Sequence, residues 1–202
     1  MENRHKRLVL ASTSAYRRQL LERLRYPFDV TSPHVDESPH VGELPSATAQ
    51  RLAQAKAQAV VAQFDDALII GSDQVADLDG VALSKPGDHA HAVAQLQSLS
   101  GRTVVFHTAV ALVDAASGRC HVRLVDVRST FRRLSASAIE SYLQRERPYD
   151  CAGAVKSEKL GIALFVAIES SDPTALIGLP LITVTELLAS EGLDVLAADA
   201  SA

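Results

Sequence analysis

Two long β-rich runs, Thr103–Asp114 and Cys120–Arg132, flank the turn residues Ala116, Ser117 and Gly118. Runs of this kind joined by a short polar turn predict an antiparallel hairpin. Upstream the pattern is different, because strand-like and helix-like segments alternate, as they do in parallel α/β units. Leu8–Ala11 reads as a short buried strand and Ala15–Arg25 as a helix with apolar residues at Leu20, Leu21 and Leu24, with the polar turn Ser12-Thr13-Ser14 between them. A chain carrying both patterns must build a mixed sheet, which places it in the α/β class.

The remaining elements fit around these. Phe28–Ser32 predicts a second strand, followed by residues 33–45, PHVDESPHVGELP, whose prolines and glycine forbid regular structure. Ser46 is positioned to cap an Ala-rich helix over Ala47–Phe64, and Ala67–Val75 reads as a strand whose tail carries Asp73 and Gln74. Asp79-Gly80 predicts a tight turn within a hairpin over Val75–Leu83. Asp88 is a cap for a helix to about Ser98, with Gly101 just past its end. Ser137 and Glu140 have capping-box spacing for a helix to about Glu146. Arg147–Gly161 reads as a polar loop, Ile162–Glu169 as a strand, and Ile182–Glu191 as a last helix stopped by Gly192. Residues 1–192 are expected to form one domain, and the small, weakly patterned residues 193–202 a frayed tail.

The 202 residues suit about one domain, with room for two small lobes sharing a cleft. Hydrophobic residues at 47% and charged residues at 22% exclude a disordered or fibrous chain. The longest apolar runs, Ala67–Gly71 and Ile162–Ile168, fall far short of the roughly 20 residues of a membrane span. The basic start MENRHKR is followed directly by strand-like residues and not by the apolar core of a signal peptide, so a cytoplasmic protein is expected. A net charge of −4 argues against nucleic acid as a partner and requires a local basic cluster for any polyanionic ligand. Cys120 and Cys151 lack metal or redox spacing and are read as reduced and structural. Whether the chain forms a homodimer is open at this stage.

Three groups of residues carry chemistry. In LVLASTSAYRRQLL a hydroxyl-rich turn opens a helix whose first turn holds Arg17 and Arg18. Free helix N–H groups and guanidinium forks suit phosphate. The alternative is a simple Ser12 or Ser14 cap with solvated arginines, although cations in a first turn oppose the helix dipole and need a reason to be there. Asp36 and Glu37 in the loop and Asp73 at a strand end suit Mg²⁺, which bridges one or two carboxylates to substrate phosphates. They could equally be an exposed acidic turn and a strand-end cap, but Asp73 follows the apolar run ALIIGS and is expected to be partly buried. Lys56, Lys85 and Lys156 could complete the basic cluster, though each alone reads as a solvated lysine. The seven histidines form no metal pattern, and no P-loop, nucleophile elbow or dinucleotide fingerprint is present.

The segments LVLASTSAYRR, VDES, QAKAQ, GSDQV, SKP, CAGAVKSEKLGI and IGLP occur in order from residue 8 to about 190. As an ordered set they resemble the Maf family of nucleoside triphosphate pyrophosphatases, over nearly the whole chain. The resemblance implies a curved mixed sheet with surrounding helices and two lobes around a central cleft, the Maf/ITPase-like arrangement. It also implies Mg²⁺- or Mn²⁺-dependent cleavage of a nucleoside triphosphate to monophosphate and diphosphate. Carried over by position, the catalytic aspartate is Asp73, the phosphate-handling residues are Ser12, Arg17, Arg18, Lys56 and Lys85, and the metal-binding residues are Glu37 and Asp73. Ala15 stands where the family often has proline, which should loosen the turn slightly and leave the chemistry intact.

Members acting on pyrimidine triphosphates typically carry arginine, threonine and glutamine where this chain has Tyr16, Gln74 and Glu158. The combination here resembles the branch acting on 7-methyl-GTP, whose cationic base suits an aromatic face and a carboxylate. Lys156 is grouped with these substrate-binding residues. The expected reaction is therefore hydrolysis of 7-methyl-GTP to 7-methyl-GMP and diphosphate. The alternatives are cleavage of UTP, dTTP or another modified triphosphate, and a nucleotide-binding regulator of cell division.

Overall fold

The computed structural model describes residues 6–197. Seven strands form one mixed sheet: β1 (Arg7–Ala11), β2 (Asp29–Thr31), β3 (Ala67–Leu78), β4 (Val81–Leu83), β5 (Thr103–Asp114), β6 (Cys120–Phe131) and β7 (Phe165–Glu169). Their order is β2-β1-β3-β5-β6-β7, with β4 paired to β3 beside the main path. The early α/β alternation makes β1 parallel to both β2 and β3. The long hairpin β5–β6 and the pairs β3–β5, β3–β4 and β6–β7 are antiparallel.

Five α-helices accompany the sheet: α1 (Ala15–Glu22), α2 (Pro45–Gln58), α3 (His89–Leu99), α4 (Ala136–Glu146) and α5 (Leu181–Ser190). Several ends differ from expectation for identifiable reasons. α1 stops at Glu22, before the positive φ of 52° at Arg25. α2 starts at Pro45, whose fixed φ suits a first helical position, and Ser46 is not its cap. Its opening is held instead by Thr48 Oγ1, 2.9 Å from Glu43 Oε2, and by a bidentate Arg51–Glu43 pair at 2.6 and 2.7 Å. That pairing takes the half-buried Glu43 carboxyl down to about 2. α2 ends at Gln58, and a separate 3₁₀ turn occupies Val61–Gln63.

Ser135, not Ser137, caps α4, accepting the Ala138 N–H at 3.2 Å. Glu140 reaches His89 and Gln144 and closes no capping box. The expected strand over Ile162–Glu169 begins only at Phe165, because Leu160–Leu164 winds into a 3₁₀ turn. Of the expected tail, Leu193 is buried against the core while residues 198–202 lie outside the described residues, as do residues 1–5 of the basic N-terminus. Among the described residues no helix is long and apolar enough to cross a membrane.

The two sheet faces are covered differently. α2 lies on one face through Ala49, Ala53 and Ala57, packed with Val9, Ala11, Ile69, Ala109 and Ala111. Small side chains let helix and sheet approach closely, and Gly71 is required at the contact. A Cβ there would fall within 2.6 Å of the Ala57 nitrogen and closer still to the Ala53 carbonyl oxygen. The opposite face carries two apolar clusters. One joins α1 and α5 to Leu8, Leu10, Leu68 and Ile70, and the other joins α3 and α4 to Ala76, Phe106 and Val127.

Strand register opens the sheet between them. β1 ends at Ala11 opposite Gly71, whereas β4 begins to pair only at Ala76. Ser72–Val75 therefore have a strand neighbour on one side alone, where β5 pairs with Asp73 and Gln74 through Ala109 and Thr108.

Candidate active site

The break in the sheet edge is where the charged side chains gather. Side chains alternate along β3, so Gly71 and Asp73 share the face under α2 while Ser72 and Gln74 point the other way. On α2, Lys56 is one residue from Ala57 and three from Ala53, the two contacts of Gly71. The close helix–strand contact thus carries Lys56 to Asp73: its Nζ lies 2.7 Å from Asp73 Oδ1 and 2.7 Å from Glu37 Oε1. The lysine side chain is only 6% exposed and that of Asp73 only 10%, while Glu37, in the loop after β2, is 52% exposed. One buried ammonium ion joins the two carboxylates that the sequence led us to expect at a metal.

Arg17 completes this centre. Its Nε donates to the Gly178 carbonyl oxygen at 2.9 Å. Burial lowers the pKa of its guanidinium, and the nearby charges of Asp73 and Glu37 counteract that. These carboxylates give a cation in the first turn of α1 a reason to be there despite the unfavourable helix dipole. Burial works against the Glu37 carboxylate, but the Lys56 hydrogen bond and the charges of Lys56, Lys85 and Arg17 more than offset it and hold its pKa below the ordinary value. Lys85, though exposed, is therefore close enough to belong to the same field.

Ser12 is buried at the end of β1 and its Oγ accepts the Ser14 N–H at 3.1 Å, while Ser14 caps α1. Arg18 is not brought to the centre. It is 63% exposed, pairs with Glu22 one helical turn away at 3.0 Å, and lines an outer groove with Arg25, Tyr26 and Pro27. Asp36 is likewise exposed, its Oδ1 accepting the Ser38 N–H.

Tyr16 meets the loop that follows α4. Lys156 Nζ stands 6.0 Å from the Tyr16 ring centroid and 3.5 Å from Asp150 Oδ1. Burial pushes the Cys151 thiol in this loop up to about 12, so it is a poor nucleophile. Glu158 is exposed on the same loop. Gln74 lies in the break, but its amide nitrogen donates to Thr108 Oγ1 and to the carbonyls of Ala175 and Leu176 at 2.9–3.1 Å. Only its side-chain oxygen is left for a ligand.

The anchors of the 172–180 segment were missed by sequence reasoning. Buried Asp172 accepts Thr174 N–H at Oδ1 and the Ile182 and Thr183 N–H groups at Oδ2, capping α5 from a distance. Asp172-Pro173 followed by Thr174 was the available signal, since Asp and Thr at that spacing favour side-chain capping of the backbone. Ser72 and Thr108 carried no signal, because their partners come from this distant segment.

Among the described residues no group of three or more His, Cys, Asp or Glu side chains gathers to hold a metal. The Glu37–Asp73 pair instead offers hard oxygen donors, and Asp73 Oδ2 takes no hydrogen bond from a described residue. That donor set fits an ion whose remaining positions are filled by phosphate oxygens and water.

Fold and site together define an α/β protein with a lysine-bridged carboxylate pair and an arginine set in a break of its sheet. The chain belongs to the Maf family, whose model, Maf-like protein, matches residues 7–191. A 7-methyl-GTP pyrophosphatase of Albidiferax ferrireducens is 55% identical over 193 residues, covering 96% of this chain and 97% of that protein. One from Thiobacillus denitrificans is 57% identical over 189 residues, 94% of each chain. A third, from Methylobacillus flagellatus, is 55% identical over 94% of this chain and 98% of its own. The solved Staphylococcus aureus Ham1 protein superimposes with a TM-score of 0.45 at 15% identity, covering 62% of this chain and 72% of that one.

Proposed function

We propose that this protein hydrolyses 7-methyl-GTP to 7-methyl-GMP and diphosphate in the cytoplasm, removing a modified nucleotide from the pool. The observation that carries the reading is the Lys56 ammonium held 2.7 Å from both Asp73 and Glu37 beside Arg17. Its cations can neutralise a polyphosphate while Asp73 keeps one oxygen open for a proton.

In this reading Asp73 Oδ2 accepts a proton from the water that attacks the α-phosphorus. The bond to the bridging oxygen breaks and diphosphate departs with that oxygen. Phosphoryl transfer depends mostly on positioning and charge, which Arg17, Lys56 and Lys85 supply around the phosphates, with Ser12 at the turn below them. Arg18 joins this grip only by exchanging Glu22 for a phosphate. Glu37 and Asp73 would hold Mg²⁺ or Mn²⁺, which neutralises charge on the phosphate oxygens.

Tyr16 supports the choice of base. Its ring attracts a cation, Lys156 at 6.0 Å from the centroid, and a 7-methylated guanine, itself cationic, would take that place by displacing the lysine toward Asp150. Glu158 can accept both the N1–H and the exocyclic amine of guanine, which a glutamine cannot do.

The test is a panel of 7-methyl-GTP, GTP, UTP and dTTP with Mg²⁺ or Mn²⁺, reading released diphosphate. Preferential cleavage of 7-methyl-GTP is the expected result. Preference for UTP or dTTP would overturn the substrate, and nucleotide binding without diphosphate release from any of them would favour a regulator.

A further inference from the structure

The segment 172–180 crosses the break in the sheet and turns three carbonyl groups toward it. Those of Ala175 and Leu176 are taken by Gln74 Nε2, with Thr108 Oγ1 also donating to Ala175 at 2.9 Å. The third, on Gly178, accepts from Arg17 Nε at 2.9 Å and lies 3.0 Å from Ser72 Oγ, whose single proton it shares with the Ala109 carbonyl at 2.8 Å. Gly178 has φ 120° and ψ 7°, a conformation that L-residues rarely adopt, and this backbone setting aims its carbonyl at the arginine. Two further residues hold the segment from behind. Asp172 accepts the Ile182 and Thr183 N–H groups of α5, and Thr174 Oγ1 lies 2.8 Å from both the Leu179 carbonyl and the Leu181 N–H.

With its Nε fixed, Arg17 keeps both terminal nitrogens without a hydrogen-bond acceptor among the described residues. A guanidinium anchored at Nε presents the remaining two nitrogens as a fork that matches two oxygens of one phosphate. We propose that the Gly178 carbonyl, steadied by Ser72, is the positioning device that presents the Arg17 fork to the triphosphate. Residues near the end of the chain thereby set the polyphosphate affinity of a group near its beginning. This inference rests on the reading of Arg17 as a phosphate ligand.

A glycine replaced here meets no steric block, since an added Cβ would sit 3.7 Å from Arg17 Nε, but its φ becomes strained. Gly178→Ala should relieve that strain by rotating the carbonyl away. Losing one hydrogen bond to a charged group should weaken binding about tenfold. The readouts are tripolyphosphate affinity by calorimetry and, separately, KM and kcat for 7-methyl-GTP. Gly178→Ala should weaken tripolyphosphate binding and raise KM about tenfold while kcat stays within about twofold.

Ser72→Ala, which leaves the backbone conformation alone, should shift the same two quantities in the same direction by a smaller factor. In an Arg17→Lys background, which has no Nε to anchor, both second substitutions should lose their effect on affinity. Additive losses in that background would overturn the proposal, because a purely structural role would persist without the arginine. Unchanged tripolyphosphate affinity in both single variants would overturn it as well. If the unmodified protein binds tripolyphosphate but cleaves no nucleotide, the hydrolase reading fails while the calorimetric cycle still decides the part played by Gly178.

Discussion

Lys56 and Asp73 meet at 2.7 Å because Ala57, beside Lys56 on the helix, and Gly71, two residues before Asp73 on the same face of the strand, leave almost no side-chain bulk between the two backbones. The ion pair follows from a packing contact. Its position in the break of the sheet follows from β1 stopping at Ala11 while β3 runs on to Leu78.

Adding one methyl group at Gly71 should therefore disturb both stability and chemistry. The atoms a Cβ would meet are backbone atoms of α2, which cannot swing aside. Gly71→Ala should cost about 1–3 kcal/mol as overpacking, at about 2–4 °C of Tm per kcal/mol for a chain of this size. Activity should fall beyond what the loss of folded protein explains, because the helix that carries Lys56 is pushed off. Calorimetric Tm and activity per folded molecule check this, and a variant as stable and active as the parent would refute the close-contact account.

Asp73→Asn keeps the shape of the side chain and removes the proton acceptor. Turnover should fall by about 10²-fold or more, the usual worth of a general base. If the dominant effect is instead a steep rise in the metal concentration needed for half activity, Asp73 acts chiefly as a ligand.

Glu37 should show its ion pair in the pH dependence of stability. Its pKa in the folded protein lies below the ordinary 4.5 because the Lys56 hydrogen bond and surrounding cations more than offset burial. The stabilisation is therefore complete above the unfolded value and is lost as pH falls through the lowered folded value. Tm measured against pH should show wild type above Glu37→Gln near neutrality and the two curves converging below about pH 4. Parallel curves would mean that the carboxylate contributes nothing through its charge.

Substrate choice is tested by combining Tyr16→Arg, Gln74→Thr and Glu158→Gln. The triple variant should lose 7-methyl-GTP hydrolysis and gain activity on UTP or dTTP. Gln74→Thr alone should lower Tm as well, because it removes donors to the Ala175 and Leu176 carbonyls. An unchanged substrate ranking in the triple variant would take these three residues out of specificity.

Asp172→Asn should destabilise the end of the 172–180 segment. The amide keeps one acceptor oxygen but turns N–H groups toward donors that Asp172 now satisfies, those of Thr174 or of Ile182 and Thr183. A loss of about 1–3 kcal/mol is the expected cost of leaving buried donors unmet. Chemical denaturation measures it, and hydrogen exchange at Ile182 and Thr183 locates it.

The sequence alone determined the elements whose signals are local. Period and turn residues marked β1, the β5–β6 hairpin and the helix capped by Asp88, since alternation, Gly at a turn and Asp at a helix start act within a few residues of themselves. The ordered motifs likewise single out Asp73, Lys56 and Glu37, three residues that the fold brings together. Tertiary structure alone decided which of the candidates meet. Arg17 and Arg18 are neighbours in sequence with the same chemistry, yet helical geometry turns one toward Asp73 and Gly178 and the other toward Glu22 and solvent. Ser72 and Thr108 were equally invisible, because a hydroxyl reveals its partner only when a segment many residues away has been packed against it. Local propensity is read from neighbours along the chain, whereas the break that gathers this site comes from unequal strand lengths in a sheet assembled by long-range pairing.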